Sequence, residues 1–173
     1  MSSTHSTQDS LFTPPLLKIL IVEDDPVMRL GLKELFEDNP QFEIVDLVTD
    51  GYSAMESAVK LKPNLVIMDI GLPKLDGIAA TQQIKATLPD IRVVMLTSHT
   101  AEHEMIAAFA SGADAYCIKG TSLEQLLLAI ACAQEGAAYL DPQIARQIVT
   151  NLQPSSPKQN SAQLSNRELE VLK

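Results

Sequence analysis

The chain has 173 residues, with 13 Lys and Arg against 22 Asp and Glu, a formal net charge of −9 and mean hydropathy of +0.07. That balance excludes a duplex-DNA grip built on clustered cations, and 46% hydrophobic residues exclude a disordered chain. No apolar run approaches the roughly 18–20 residues of a membrane span.

Residues 18–150 carry the whole −9 between them, since the flanks contribute −1 and +1. The acid therefore belongs to a folded body and not to a tail. The first residues lack the cationic start and apolar stretch of a secretory signal. Cys117 and Cys132 are too few for a disulfide scaffold and read as small buried apolar groups. A cytoplasmic protein with reduced thiols is expected.

Residues 1–16, rich in Ser and Thr and ending in Pro14-Pro15, read as a disordered extension. Order begins at the apolar run Leu17–Val22, a buried strand. Asp25-Pro26 then pairs an N-cap with proline at the first helical position, and Met28, Leu32, Leu35 and Phe36 recur at helical spacing. Asp25 accordingly reads as a cap and not a metal ligand.

The alternation repeats. Phe42–Val48 is a predicted strand, followed by a helix carrying Ala54, Met55, Ala58 and Leu61. Asn64–Met68 is a strand ending at Asp69, and Asp76-Gly77 opens a helix bearing Ala80, Ile84 and Leu88. Ile91–Leu96 is the next strand, with a helix over Ala101–Ala110 closed by Gly112. Ala115–Ile118 is the fifth strand; Ser122 caps a helix with Leu123, Leu126, Leu127 and Ile130, ending near Gly136.

Five strand–helix units whose strands are apolar throughout predict an α/β fold: a doubly wound, five-stranded parallel sheet covered on both faces. Flavodoxin-like order 2-1-3-4-5 is expected, with ligands beyond the carboxyl ends of the strands. Residues 17–136 form that domain. Residues 137–163 read as a linker with one helix, started by Asp141-Pro142 and carrying Ile144, Ile148, Val149 and Leu152. Gln153–Ser161 is polar and proline-bearing. Residues 164–173 read as the opening of a further helix, with Ser165 and Glu168 at capping-box spacing. Ten residues do not hold a helix alone, so a second domain is expected to start here.

The chemistry lies at the strand ends. Glu23, Asp24 and Asp25 follow the first strand and Asp69 ends the third, its neighbour in this topology. Phosphate-binding folds place a glycine-rich anion loop after the first strand. An acidic loop repels phosphate and suits a hard divalent cation such as Mg²⁺, which commonly bridges carboxylates to a phosphate. Thr97-Ser98 ends the fourth strand with hydroxyls and Lys119 ends the fifth with an ammonium. A carboxylate is a nucleophile toward phosphoryl groups, and these donors would steady the transferred oxygens.

The segments Ile21-Val22-Glu23-Asp24-Asp25, Met68–Gly77, Leu96-Thr97-Ser98 and Tyr116-Cys117-Ile118-Lys119 together resemble the receiver domain of two-component response regulators. That resemblance implies phosphoryl transfer from a sensor histidine kinase to Asp69. It implies Mg²⁺ on Glu23, Asp24, Asp69 and the Gly71 carbonyl, with Lys119 and Thr97 on the phosphoryl oxygens and Tyr116 as the switch aromatic. Gly120 departs from the proline that many receivers carry after the lysine. Leu164–Leu172 resembles the first turn of a LuxR-type helix-turn-helix, as in the NarL/FixJ class of transcription regulators. It implies DNA binding only through a C-terminal domain whose recognition helix is missing here, homodimerisation on phosphorylation, and no membrane partner. On this reading the chain is a phosphoacceptor, not an enzyme.

Two other readings remain. An aspartate-nucleophile phosphohydrolase of the haloacid-dehalogenase kind would need D-x-D, whereas Asp69 is followed two later by Gly71. A phosphate-independent pseudo-receiver would be expected to lack site residues. His99 and His103, four apart, read as a solvated helix face.

Overall fold

The computed structural model describes residues 15–154. Residues 1–14 of the expected 1–16 extension, most of the polar linker and the expected helix opening at 164–173 lie outside the described residues. Strands and helices alternate as β1 (Leu17–Val22), α1 (Pro26–Glu37), β2 (Phe42–Val48), α2 (Gly51–Leu61), β3 (Leu65–Asp69), α3 (Gly77–Thr87), β4 (Arg92–Thr97), α4 (Glu102–Ala110), β5 (Ala115–Ile118), α5 (Leu123–Gln134), β6 (Tyr139–Leu140) and α6 (Pro142–Leu152).

Side-chain caps explain where most helices begin. Asp25, Asp50, Asp76, Ser122 and Asp141 each accept a backbone N–H from the first turn of the helix that follows, removing donors the helix cannot satisfy itself. Asp25 Oδ1 takes the Val27 and Met28 amides at 2.9 and 2.8 Å, which confirms its reading as a cap. Helix α4 is the exception, with Ala101 at its N-cap and no side-chain cap.

All strand pairs are parallel, in the order β2-β1-β3-β4-β5-β6. The sheet thus has six strands where five were expected. The addition is two residues, with Ala115 paired to Tyr139 and Tyr116 to Leu140. So short a strand carries no hydrophobic period for a sequence to show.

Alternation along each strand divides the core into two layers. Leu20, Val22, Val66, Met68, Val93, Met95 and Tyr116 pack on one face against α2, α3 and α4. Ile19, Ile21, Leu65, Ile67, Val94, Leu96 and Cys117 pack on the other against α1 and α5. Helix α6 belongs to the first layer, because Ile144 is 1% exposed among those residues. Asp141, at its start, is buried and accepts the Ile118 amide at 3.2 Å as well as that of Gln143 at 2.9 Å. The segment expected as a linker therefore begins by completing the sheet.

Two glycines let the loop after β3 close tightly. A Cβ on Gly77 would overlap the carbonyl oxygen of Asp69, and one on Gly51 would overlap that of Leu75. The Gly77 amide bonds to Ile70 and the Gly51 amide to Leu75, at 3.0 and 3.1 Å. The loop that leaves Asp69 is thus clamped by backbone against α3 and α2. Among the described residues no helix is long and apolar enough to cross a membrane.

Ile144→Ala should lower the unfolding free energy by about 2–5 kcal/mol in urea titration. A change within about 0.5 kcal/mol would mean that α6 contributes nothing to the fold. Gly77→Ala should cost about 1–3 kcal/mol by the same measurement through overpacking against Asp69.

Candidate functional site

Strands β1, β3, β4 and β5 are adjacent and parallel, so their carboxyl ends share one edge of the sheet. Glu23 follows β1, Asp69 closes β3, Thr97 closes β4 and Lys119 follows β5. Carboxylate oxygens of Glu23, Asp24 and Asp69 all lie within 4.8 Å of one another. Glu23 is 1% and Asp69 5% exposed, whereas Asp24 faces solvent. Crowding like charges on a buried patch is costly unless a cation answers them.

Lys119 supplies part of that answer. Its ammonium stands 2.8 Å from Glu23 Oε2 and 2.9 Å from Asp69 Oδ2. Burial works to lower the Lys119 pKa, but the bonds and charges of Glu23 and Asp69 prevail and raise it. Glu23 is also raised: its burial outweighs the Lys119 contact and the Asp25 amide, and the Asp69 charge adds to the burial. The Asp25 amide reaches Glu23 Oε1 at 3.0 Å. The buried Oε2 has the ammonium nearby but no well-aligned hydrogen bond. Three carboxylates against one ammonium leave acid uncompensated, and the unused oxygen positions are those a hard divalent cation takes. The donor set fits such an ion.

The remaining expected residues fall around this group. The Gly71 amide donates to Asp69 Oδ1 at 3.2 Å, which holds the loop over the carboxylate. Thr97 is buried, yet its hydroxyl is engaged elsewhere: the His99 amide donates to Oγ1 at 3.0 Å. Tyr116 is fully buried, and its hydroxyl donates to the His99 carbonyl at 3.2 Å. The Lys119 amide bonds to the Thr97 carbonyl at 2.7 Å, so β4 feeds directly into the lysine's placement. Gly120 turns the chain after the lysine at φ +92°, a conformation glycine adopts without strain. Glu23, Asp24, Asp69 and Lys119 are brought together, and Thr97 stands at the neighbouring strand end with its hydroxyl held by the loop.

Three residues take roles that the sequence reading did not assign to them. Arg29 Nη1 donates to the Glu23 and Asp24 carbonyls at 2.9 and 3.1 Å, fixing the acidic loop from α1. Gly77 permits the close approach described above. His99, expected with His103 on a solvated helix face, is solvent-exposed but lies in the loop before α4, where its Nδ1 stands 3.1 Å from Glu104. Backbone acceptors and loop contacts leave no residue pattern to read.

Burial pushes the Tyr116 hydroxyl and the Cys117 thiol up to about 12. Unfolding restores ordinary values of roughly 10 and 8.5, so the unfolded chain releases protons first. Stability is therefore intact below about pH 8 and falls as pH rises toward 12. Urea midpoints measured across that range should show the fall, and Tyr116→Phe should make it shallower above pH 10. A fall of the same steepness in both proteins would remove Tyr116 as a cause.

Comparison with known proteins agrees with this geometry. The family model for the response regulator receiver domain matches residues 19–131. The response regulator protein VraR of Staphylococcus epidermidis is 32% identical over 90% of this chain and 74% of its own length. The transcriptional regulatory protein DegU of Brevibacillus brevis is 28% identical over 91% of this chain and 67% of its own. A LuxR-family two-component response regulator from Aurantimonas superposes with a TM-score of 0.74 at 29% identity, covering 79% of this chain and 97% of that one. The acidic edge, the strand order and these relatives lead to one conclusion: the chain belongs to the two-component response regulators and contains their receiver domain.

Proposed function

We propose that Asp69 accepts a phosphoryl group from a sensor histidine kinase. The observation that carries this is the juxtaposition of a buried Asp69 with Lys119 at 2.9 Å inside a cluster of three carboxylates. A carboxylate oxygen of Asp69 forms a bond to phosphorus as the bond from phosphorus to the kinase's imidazole nitrogen breaks. The electron pair leaves with that nitrogen, and the product is an aspartyl phosphate. Lys119 is already held beside Asp69 and would bind an equatorial oxygen of the transferred group.

Glu23, Asp24, Asp69 and the Gly71 carbonyl would hold Mg²⁺. When bound, the ion supplies neutralisation of phosphoryl charge. Arg29 keeps the Glu23–Asp24 backbone in place for it. Thr97 would meet a phosphoryl oxygen after its hydroxyl leaves the His99 amide. The added charge of about −1.5 to −2 then biases the β4–α4–β5 face through Thr97 and Tyr116.

This is a phosphoacceptor without substrate turnover, cytoplasmic, whose output runs through homodimerisation and a C-terminal DNA-binding domain begun at residues 164–173. The receiver comprises residues 17–136, and β6 with α6 supports it before the linker.

With Mg²⁺ and a small acyl phosphate, the chain should gain one phosphate by intact mass spectrometry, and Asp69→Asn should gain none. Excess chelator should abolish the gain. Equal labelling of Asp69→Asn would remove Asp69 from the role. Sustained hydrolysis of a generic phosphomonoester would restore the phosphohydrolase reading.

A further inference from the structure

We propose that Glu104 is a positioning residue for Thr97, acting through His99 as a latch that holds the Thr97 hydroxyl on the His99 amide. The inference rests on the phosphoacceptor reading and concerns what restrains that site.

Thr97 follows Val93 and Met95 in the strand alternation, so it shares the α4-side face with Tyr116. The loop from β4 to α4 follows Thr97, whose side chain lies close to the Tyr116 hydroxyl. His99 in that loop is fixed by three groups from three elements. Its amide donates to Thr97 Oγ1 at 3.0 Å. Its carbonyl accepts from Tyr116 Oη at 3.2 Å. Its Nδ1 stands 3.1 Å from both carboxylate oxygens of Glu104, in the first turn of α4.

Glu104 has no capping duty, since α4 starts without a side-chain cap. Its Oε2 is buried and has no well-aligned hydrogen bond, with the imidazole its close contact. The carboxylate also lies near enough to Tyr116 to help raise the phenol's pKa, after the larger effect of burial.

Turning Thr97 toward a phosphoryl oxygen breaks the His99 amide bond. The bond is part-buried, and the freed amide must then find another partner, because a backbone donor left unpaired there is costly. That requires the loop to shift, and the loop is tied to α4 through the imidazole–carboxylate pair. Weakening the pair therefore lowers the cost of releasing Thr97.

Phosphorylation of the full chain by acetyl phosphate at saturating Mg²⁺ tests this. Glu104→Gln should raise the rate about threefold, in keeping with the modest worth of a partly exposed polar contact, without changing Mg²⁺ affinity by calorimetry. Glu102→Gln removes a charge from the same helical turn and should leave the rate unchanged. In a Thr97→Ala background, Glu104→Gln should have no effect, since the latch then holds nothing. A second measurement needs no phosphate: the Thr97 methyl resonance should move in Glu104→Gln and stay in Glu102→Gln.

An unmoved methyl resonance, or a rate gain that persists in Thr97→Ala, overturns the latch. If wild type takes no phosphate while the methyl signal moves in Glu104→Gln alone, the phosphoacceptor reading fails and the latch stands.

Discussion

The site depends on one ammonium shared by two buried carboxylates. Lys119 touches Glu23 at 2.8 Å and Asp69 at 2.9 Å, and these residues follow or end three different strands. Removing one partner from a buried pair leaves an uncompensated charge and is strongly destabilising. The lysine therefore serves two ends: it makes a dense acidic patch tolerable, and it holds a positive charge beside Asp69. The carboxylates it leaves unanswered define what else the patch is built to hold.

The rest of the architecture keeps that arrangement in register. β3 and β4 pair so that Asp69 lies beside Leu96, and β4 and β5 pair so that Thr97 lies beside Ile118. The pleat then sends Tyr116 and Thr97 to one layer and Cys117 and Leu96 to the other. Charge is concentrated at the edge, while the hydroxyls communicate with α4. A shift in one strand alters both, because interdigitated cores move between discrete packings and do not stretch.

Most of this was legible in the sequence because each central strand is an apolar run ending abruptly in a chemical group. Ile19–Val22 gives way to Glu23, Leu65–Met68 to Asp69, Val93–Leu96 to Thr97 and Ala115–Ile118 to Lys119. Burial explains the run, and only function or a cap explains the interruption. What escaped was of another kind. β6 is two residues long and has no period. Arg29 acts on main-chain atoms and His99 is held through its own, which every residue possesses. The steric requirement at Gly77 comes from Asp69, eight residues away, across a loop whose path no local pattern shows.

The short sixth strand has a consequence for what this edge of the sheet offers a neighbouring chain. An exposed edge on β5 would offer a row of amides and carbonyls to a neighbouring chain. Here Asp141 donates its amide to the Tyr116 carbonyl and accepts the Ile118 amide on its carboxylate. Tyr139 takes up the Asp114 carbonyl, and Pro142 then ends any further pairing. The edge that remains, β6, is two residues long, so this side of the sheet offers little to strand addition. A chain that docks on this side therefore meets side-chain surfaces more than a continuous backbone ladder.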